Sequence, residues 1–83
     1  MTAEGLKGLI EFIVTSLVED PSQVQVREIS NGNNVRLELR VSKEDMGRVI
    51  GKHGKVANSI RMLLTVAAAR MGKQATLDVI DPD

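Results

Sequence analysis

The chain has no cysteine, tryptophan or tyrosine, and a single phenylalanine, Phe12. Without cysteine there are no disulfides, no thiolate chemistry and no cysteine metal sites, and nothing points to an oxidising compartment. Without aromatics the core must be built from Leu, Ile, Val, Ala and Met. Their scarcity also argues against any mechanism that needs stacked aromatic platforms. No apolar run approaches the ~20 residues that span a bilayer. No basic segment followed by an apolar one opens the chain, so a soluble, cytoplasmic protein with no membrane partner is expected. Charge of one sign is lacking as well, since 11 basic residues balance 11 acidic ones. Nucleic-acid binders usually lean basic, so this balance counts against that class of partner.

What is present suits one domain spanning 1–83. A domain this small buries only about 60% of the surface its unfolded chain exposes, so its core is thin. The charges are unevenly spread. Arg36, Arg40, Lys43, Arg48, Lys52, Lys55 and Arg61 fall close together, opposed there only by Glu38, Glu44 and Asp45. The other acids lie toward the ends: Glu4, Glu11, Glu19, Asp20 and Glu28 early, and Asp78, Asp81 and Asp83 late. A local positive surface on a neutral domain is expected.

Leu6, Leu9, Ile10, Ile13 and Leu17 have helical spacing, and Asp20-Pro21 should stop that helix. Gln23 to Ile29 begins with alternation at Val24 and Val26, then slips phase at Ile29, which predicts a bulge. Asn31-Gly32-Asn33-Asn34 signals a turn, because Asn and Gly tolerate positive φ. Val35, Leu37, Leu39 and Val41 alternate with Arg36, Glu38 and Arg40, the pattern of a half-buried strand. Ser42 fits an N-cap, with Glu44 and Asp45 in the first turn of a short helix running to about Ile50. Gly51 and Gly54 interrupt it. A longer helix from Lys55 carries a predicted core stripe of Val56, Ile60, Leu64, Ala67 and Met71 and ends at Gly72. Ala75, Leu77 and Val79 form a last strand. The predicted order is helix, strand, strand, helix, helix, strand.

One segment carries chemistry: Val49-Ile50-Gly51-Lys52-His53-Gly54-Lys55, followed by Ile60. Two glycines around two polar residues make a tight turn between helices. Lacking Cβ, they let a phosphate backbone approach the main chain. The second helix presents free N–H groups and a positive dipole end at the loop. Lys52, Lys55 and His53 add cationic character, and Val49 and Ile50 can floor a site for unstacked bases. Such a combination suits single-stranded nucleic acid. By itself the spacing is weak, since helix–loop–helix turns use glycine routinely. Its polar middle, basic flanks and place after a hairpin give it weight.

This segment resembles the signature of KH domains, and the element order resembles their type II arrangement. The likeness covers nearly the whole chain and is greatest to small bacterial single-KH proteins of the KhpA (YlqC-like) group. It implies an α+β fold, α-β-β-α-α-β, with helices on one face of a three-stranded mixed sheet. It also implies a groove for about four nucleotides. By position, Gly51, Lys52, His53 and Gly54 would form the clamp, with Arg48, Val49 and Ile50 before it and Lys55 after it. Leu37 and Leu39 would lie beside the groove, though their alternation could equally place them in the core. The Asn31–Asn34 turn would be the variable loop, short here.

Catalysis finds no support. His53 is the only histidine, with no second ligand for a metal, and Ser16, Ser59 and Thr65 lack a base. No cofactor is implied. Met62, Val66 and Ala69, with Leu63 at the border, lie off the core stripe of the long helix. They are either scattered surface apolars or a self-association patch. The resemblance implies a homodimer and a larger KH-containing partner of the KhpB (Jag-like) type. It also implies a post-transcriptional regulator or RNA chaperone tied to bacterial cell elongation and division. The leading expectation is a non-catalytic binder of single-stranded RNA. The alternative is a protein-interaction module with a KH fold and little affinity for RNA.

Overall fold

Leu6, Ile10 and Val14 stand four residues apart and build the first helix, α1 (Gly5–Leu17), by lining one face that is fully buried. The structure is a computed structural model that describes residues 5–82. The predicted face was broader: Leu9 and Ile13 are half-buried, and Leu17 is exposed at the helix end. Pro21 opens a 3-10 turn, Pro21–Gln23, that leads into the sheet.

The hairpin pairs β1 (Gln25–Asn31) antiparallel to β2 (Asn34–Arg40) in unbroken register from Gln25↔Arg40 to Asn31↔Asn34. There is no bulge. Ile29 pairs with Arg36 on the solvent face instead, and the phase slip in the sequence marks a strand whose far half leaves the core. A two-residue turn closes the hairpin, with Gly32 at φ 62°, as a glycine in the first central position allows. Alternation in β2 reads directly: Val35, Leu37 and Leu39 point into the core, followed by Val41. Leu37 and Leu39 are thus core residues and not groove residues.

The short helix α2 (Met46–Ile50) leads through the loop into α3 (Lys55–Arg70). Ala57, Ile60, Leu64 and Ala68 are the buried row of α3. Against the predicted stripe, Val56 and Ala67 are only half-buried and Met71 is 48% exposed. Alanine carries little weight in a hydrophobic periodicity, yet Ala57 and Ala68 are both buried, and Ala68 belongs to the core cluster. Gly72, at φ 70°, ends the helix: its N–H donates to Ala69 O (3.1 Å) and that of Lys73 to Ala68 O (2.9 Å). The last strand, β3 (Gln74–Val79), joins β2 in parallel, so the sheet is mixed with order β1-β2-β3. The buried aliphatics form one cluster between sheet and helices. The sole aromatic takes no part in it, because Phe12 is 70% exposed.

One buried polar residue ties these parts together. Asp45 accepts hydrogen bonds from the N–H groups of Glu19 and Asp20 (both 3.0 Å) and from the Ser42 hydroxyl (3.0 Å). The same hydroxyl accepts from Asp45 N as the expected N-cap. Asp45 thereby fixes the exit of α1 to the entry of α2, a role beyond the helix-terminal charge that its position suggests. The Glu19 N–H holds its carboxyl below the ordinary value of 3.8, against the opposing effect of burial, aided by the Asp20 N–H, Ser42 and Arg48. A depressed carboxylate contributes stability above its unfolded pKa and loses it as pH falls through the folded one. Asn at this position would turn an amide NH2 toward a main-chain donor. Asp45→Asn is therefore expected to lower Tm at neutral pH on the order of 10 °C. Thermal melts should show that gap closing below pH 3.8, as the wild-type carboxylate takes up its proton.

Candidate nucleic-acid interface

α2 stops because Gly51 takes φ 75° and ψ 173°, a conformation that side-chain-bearing residues avoid, while its N–H still closes the helix on Gly47 O (2.8 Å). The chain then makes one 3-10 turn, Lys52–Gly54, held by Gly54 N to Gly51 O (3.1 Å). Inside it, His53 has a left-handed backbone (φ 58°, ψ 27°), the one such non-glycine among the described residues. Gly54 follows at φ 73° and serves as N-cap of α3 with no side chain capping the helix. The first N–H of α3, on Lys55, donates back to Lys52 O, and no side chain stands between the turn and the start of the helix. Lys52, His53 and Lys55 are all exposed around this turn. Among the described residues, neither lysine is in an ion pair.

The other expected site residues are placed less favourably. Val49 is fully buried and belongs to the core, so it offers no surface to a base; only Ile50, partly exposed, can do so. Arg48 is drawn to Glu19 (3.3 Å) and Asp45 (3.4 Å). Arg36 bridges Glu38 (3.2 Å) and Asp78 (2.9 Å). Acids distant in sequence thus return in space to neutralise two of the clustered arginines, while the exposed Arg40, Lys43 and Arg61 join the loop lysines in making no ion pair among the described residues. Glu4 and Asp83 lie outside the described residues. Met62, Leu63, Val66 and Ala69 are exposed on the side of α3 away from the core, Met62 at 69%.

A row of polar side chains, Asn58 together with the Arg61 and Thr65 named above, runs back from the loop along α3. A Cβ built on Gly54 would lie 3.9 Å from Asn58 Nδ2. Asn58 Oδ1 accepts from Arg61 Nη1 (3.4 Å), and Arg61 Nε donates to the Leu77 carbonyl on β3 (3.2 Å). Asn58, Arg61 and Thr65 share the i, i+3, i+7 spacing of one helix face, and that spacing was the signal available.

A family model described as the KhpA/KhpB KH domain matches residues 7–79. The chain belongs to this family. Its α-β-β-α-α-β order and mixed sheet are the type II KH arrangement. A protein of Clostridium acetobutylicum named RNA-binding protein KhpA is 43% identical over 75 residues, which is 90% of this chain and 100% of that one. Proteins of the same name from Borreliella burgdorferi and Aquifex aeolicus are 42% and 36% identical, covering 88% and 92% of this chain and 89% and 96% of theirs. No solved structure matches significantly. The Gly51–Gly54 turn joins α2 to α3. β3, the strand flanking α3, starts beside the hairpin turn (Gln74 N to Asn33 O, 2.8 Å) and ends near Leu39 (Ile80 N to Leu39 O, 2.8 Å).

Proposed function

We propose that this KH domain is a non-catalytic binder of single-stranded RNA. The observation that carries the reading is the Gly51–Gly54 turn itself, with positive φ at Gly51, His53 and Gly54, an uncapped α3 behind it and three exposed basic side chains around it. Phosphates rest on this backbone, where Lys52 and Lys55 neutralise them and His53 donates from the loop apex. Bases lie against Ile50 and the flank of α3. The relatives named RNA-binding proteins support the same class of ligand. Binding is modest, because the loop offers only two to three phosphate contacts, and family resemblance supports a role in post-transcriptional control or RNA chaperoning in the bacterial cytoplasm.

The exposed stripe of Met62, Leu63, Val66 and Ala69 favours a second reading, in which the domain self-associates or docks on a larger KH-containing partner. One experiment separates them: fluorescence anisotropy with labelled single-stranded and duplex RNA, beside the light-scattering mass of the free protein. The RNA reading expects preference for the single strand. Two to three phosphate contacts predict roughly tenfold weaker binding between 50 and 200 mM salt. A chain that ignores RNA at every salt concentration but runs at twice its mass is an interaction module.

A further inference from the structure

The GxxG turn holds phosphates, and phosphates carry no sequence information. Whatever base preference the domain has must come from side chains farther along the groove. Among the described residues, the polar row behind the loop is the one set aimed at such a place.

Arg61 is held from two sides. Gln74 N and Ile80 N donate to residues on the β2 side, so strand alternation turns the main-chain groups of Ala75, Leu77 and Val79 to the outer edge of the sheet. The Leu77 carbonyl on that edge accepts from Arg61 Nε (3.2 Å), and Asn58 Oδ1 accepts from Arg61 Nη1 (3.4 Å). The guanidinium is therefore oriented without an ion pair, and its remaining N–H groups stay available. It borders a shallow cleft that Thr65, Ala75 and Thr76 line above the buried Leu64 and Leu77, where the half-buried Ala75 is the apolar surface a base can meet. Asn58, with its oxygen engaged, also presents its NH2, next to Gly54. With one lone pair of that oxygen already turned to Arg61, the groups this pair offers are mainly donors.

A fork of donors matches a base edge with two adjacent acceptors. Guanine has such a pair at O6 and N7, and cytosine at O2 and N3. In adenine each ring nitrogen acceptor stands alone or beside the N6 amino donor, and in uracil the N3–H separates O2 from O4. We propose that Arg61, positioned by Leu77 and Asn58, makes the domain select guanine or cytosine over adenine or uracil at one nucleotide beyond the GxxG clamp. The inference rests on the RNA-binding reading above.

The test uses four eight-nucleotide single strands: all-adenine, and the same strand with one central guanine, cytosine or uracil. Anisotropy titrations of the wild-type chain should show roughly tenfold tighter binding to the guanine or the cytosine strand, as a bidentate pair confers. Comparing those two strands identifies which acceptor pair is read. Arg61→Lys keeps the charge but loses the fork, so it should bind all four strands like the wild type binds all-adenine. Arg61→Ala should erase the preference too, with circular dichroism confirming that it folds. Equal wild-type affinity for the four strands, or a preference that survives Arg61→Lys, overturns this assignment and leaves the RNA reading standing. Failure of every strand to bind overturns both.

Discussion

Replacing Lys52 and His53 together by Asp should abolish RNA binding while leaving the domain folded. Both side chains are exposed on the Gly51–Gly54 turn and neither contributes to the buried core. The backbone tolerates the change as well. His53 sits in the left-handed region, at φ 58° and ψ 27°, and Asp is among the few non-glycine residues that adopt it readily. The variant removes one lysine charge and sets two carboxylates where phosphates must approach the start of α3. Like charges in such contact cost several kcal/mol, so affinity should fall at least about 100-fold. A mobility-shift assay reads the loss, and thermal melting should move by no more than a few degrees. Unchanged affinity in the folded variant would remove the loop from the binding mechanism.

Much of this was legible in the sequence because short-range physics dictates it. β2 alternates cleanly, and the structure buries Val35, Leu37 and Leu39 as that alternation requires. Gly72 and the Asn31–Asn34 turn announce their backbone conformations through residue type alone. The type II KH arrangement follows from the order of those elements and from the glycine spacing between two helices. Misreadings arose wherever long-range packing decides. Val49 resembles any apolar residue beside a loop, and only the docking of α2 against α3 and α1 makes it core. The buried row of α3 includes alanines at 57 and 68, which a hydrophobic periodicity scarcely registers. Arg36 and Arg48 look free beside the loop until folding brings Asp78 and Glu19 back to them. Asp45 is the strongest case. Its partners at Glu19 and Asp20 lie 26 and 25 residues away in sequence, beyond anything local spacing encodes.

The largest stability effect belongs to a residue that touches no ligand through a side chain. A Cβ added at Gly51 would stand 2.9 Å from Val56 N, 2.9 Å from Val56 Cβ and closer still to Val56 Cγ2. The methyl can swing away, but Val56 N lies in the first turn of α3 and can move only if the helix does. The backbone at Gly51 adds its own cost, since φ 75° with ψ 173° is a region held almost only by glycine. Strain of ~1–3 kcal/mol and overpacking of ~1–3 kcal/mol together approach the stability of a domain this small. Gly51→Ala should therefore lower Tm on the order of 20 °C, as read by circular dichroism. Gly54→Ala is the internal control. It shares the positive φ, yet the nearest atom to its new methyl is Asn58 Nδ2 at 3.9 Å, so only the left-handed strain of about 1–2 kcal/mol remains. Equal shifts for the two variants would contradict the crowding at Val56. Adding Val56→Ala to Gly51→Ala should restore stability only in part, because it removes Cγ2 and leaves the main-chain contact in place. The two glycines then differ in kind: Gly51 lets α2 and α3 meet at this angle, and Gly54, in the proposed binding mode, keeps the face of the turn open for a phosphate.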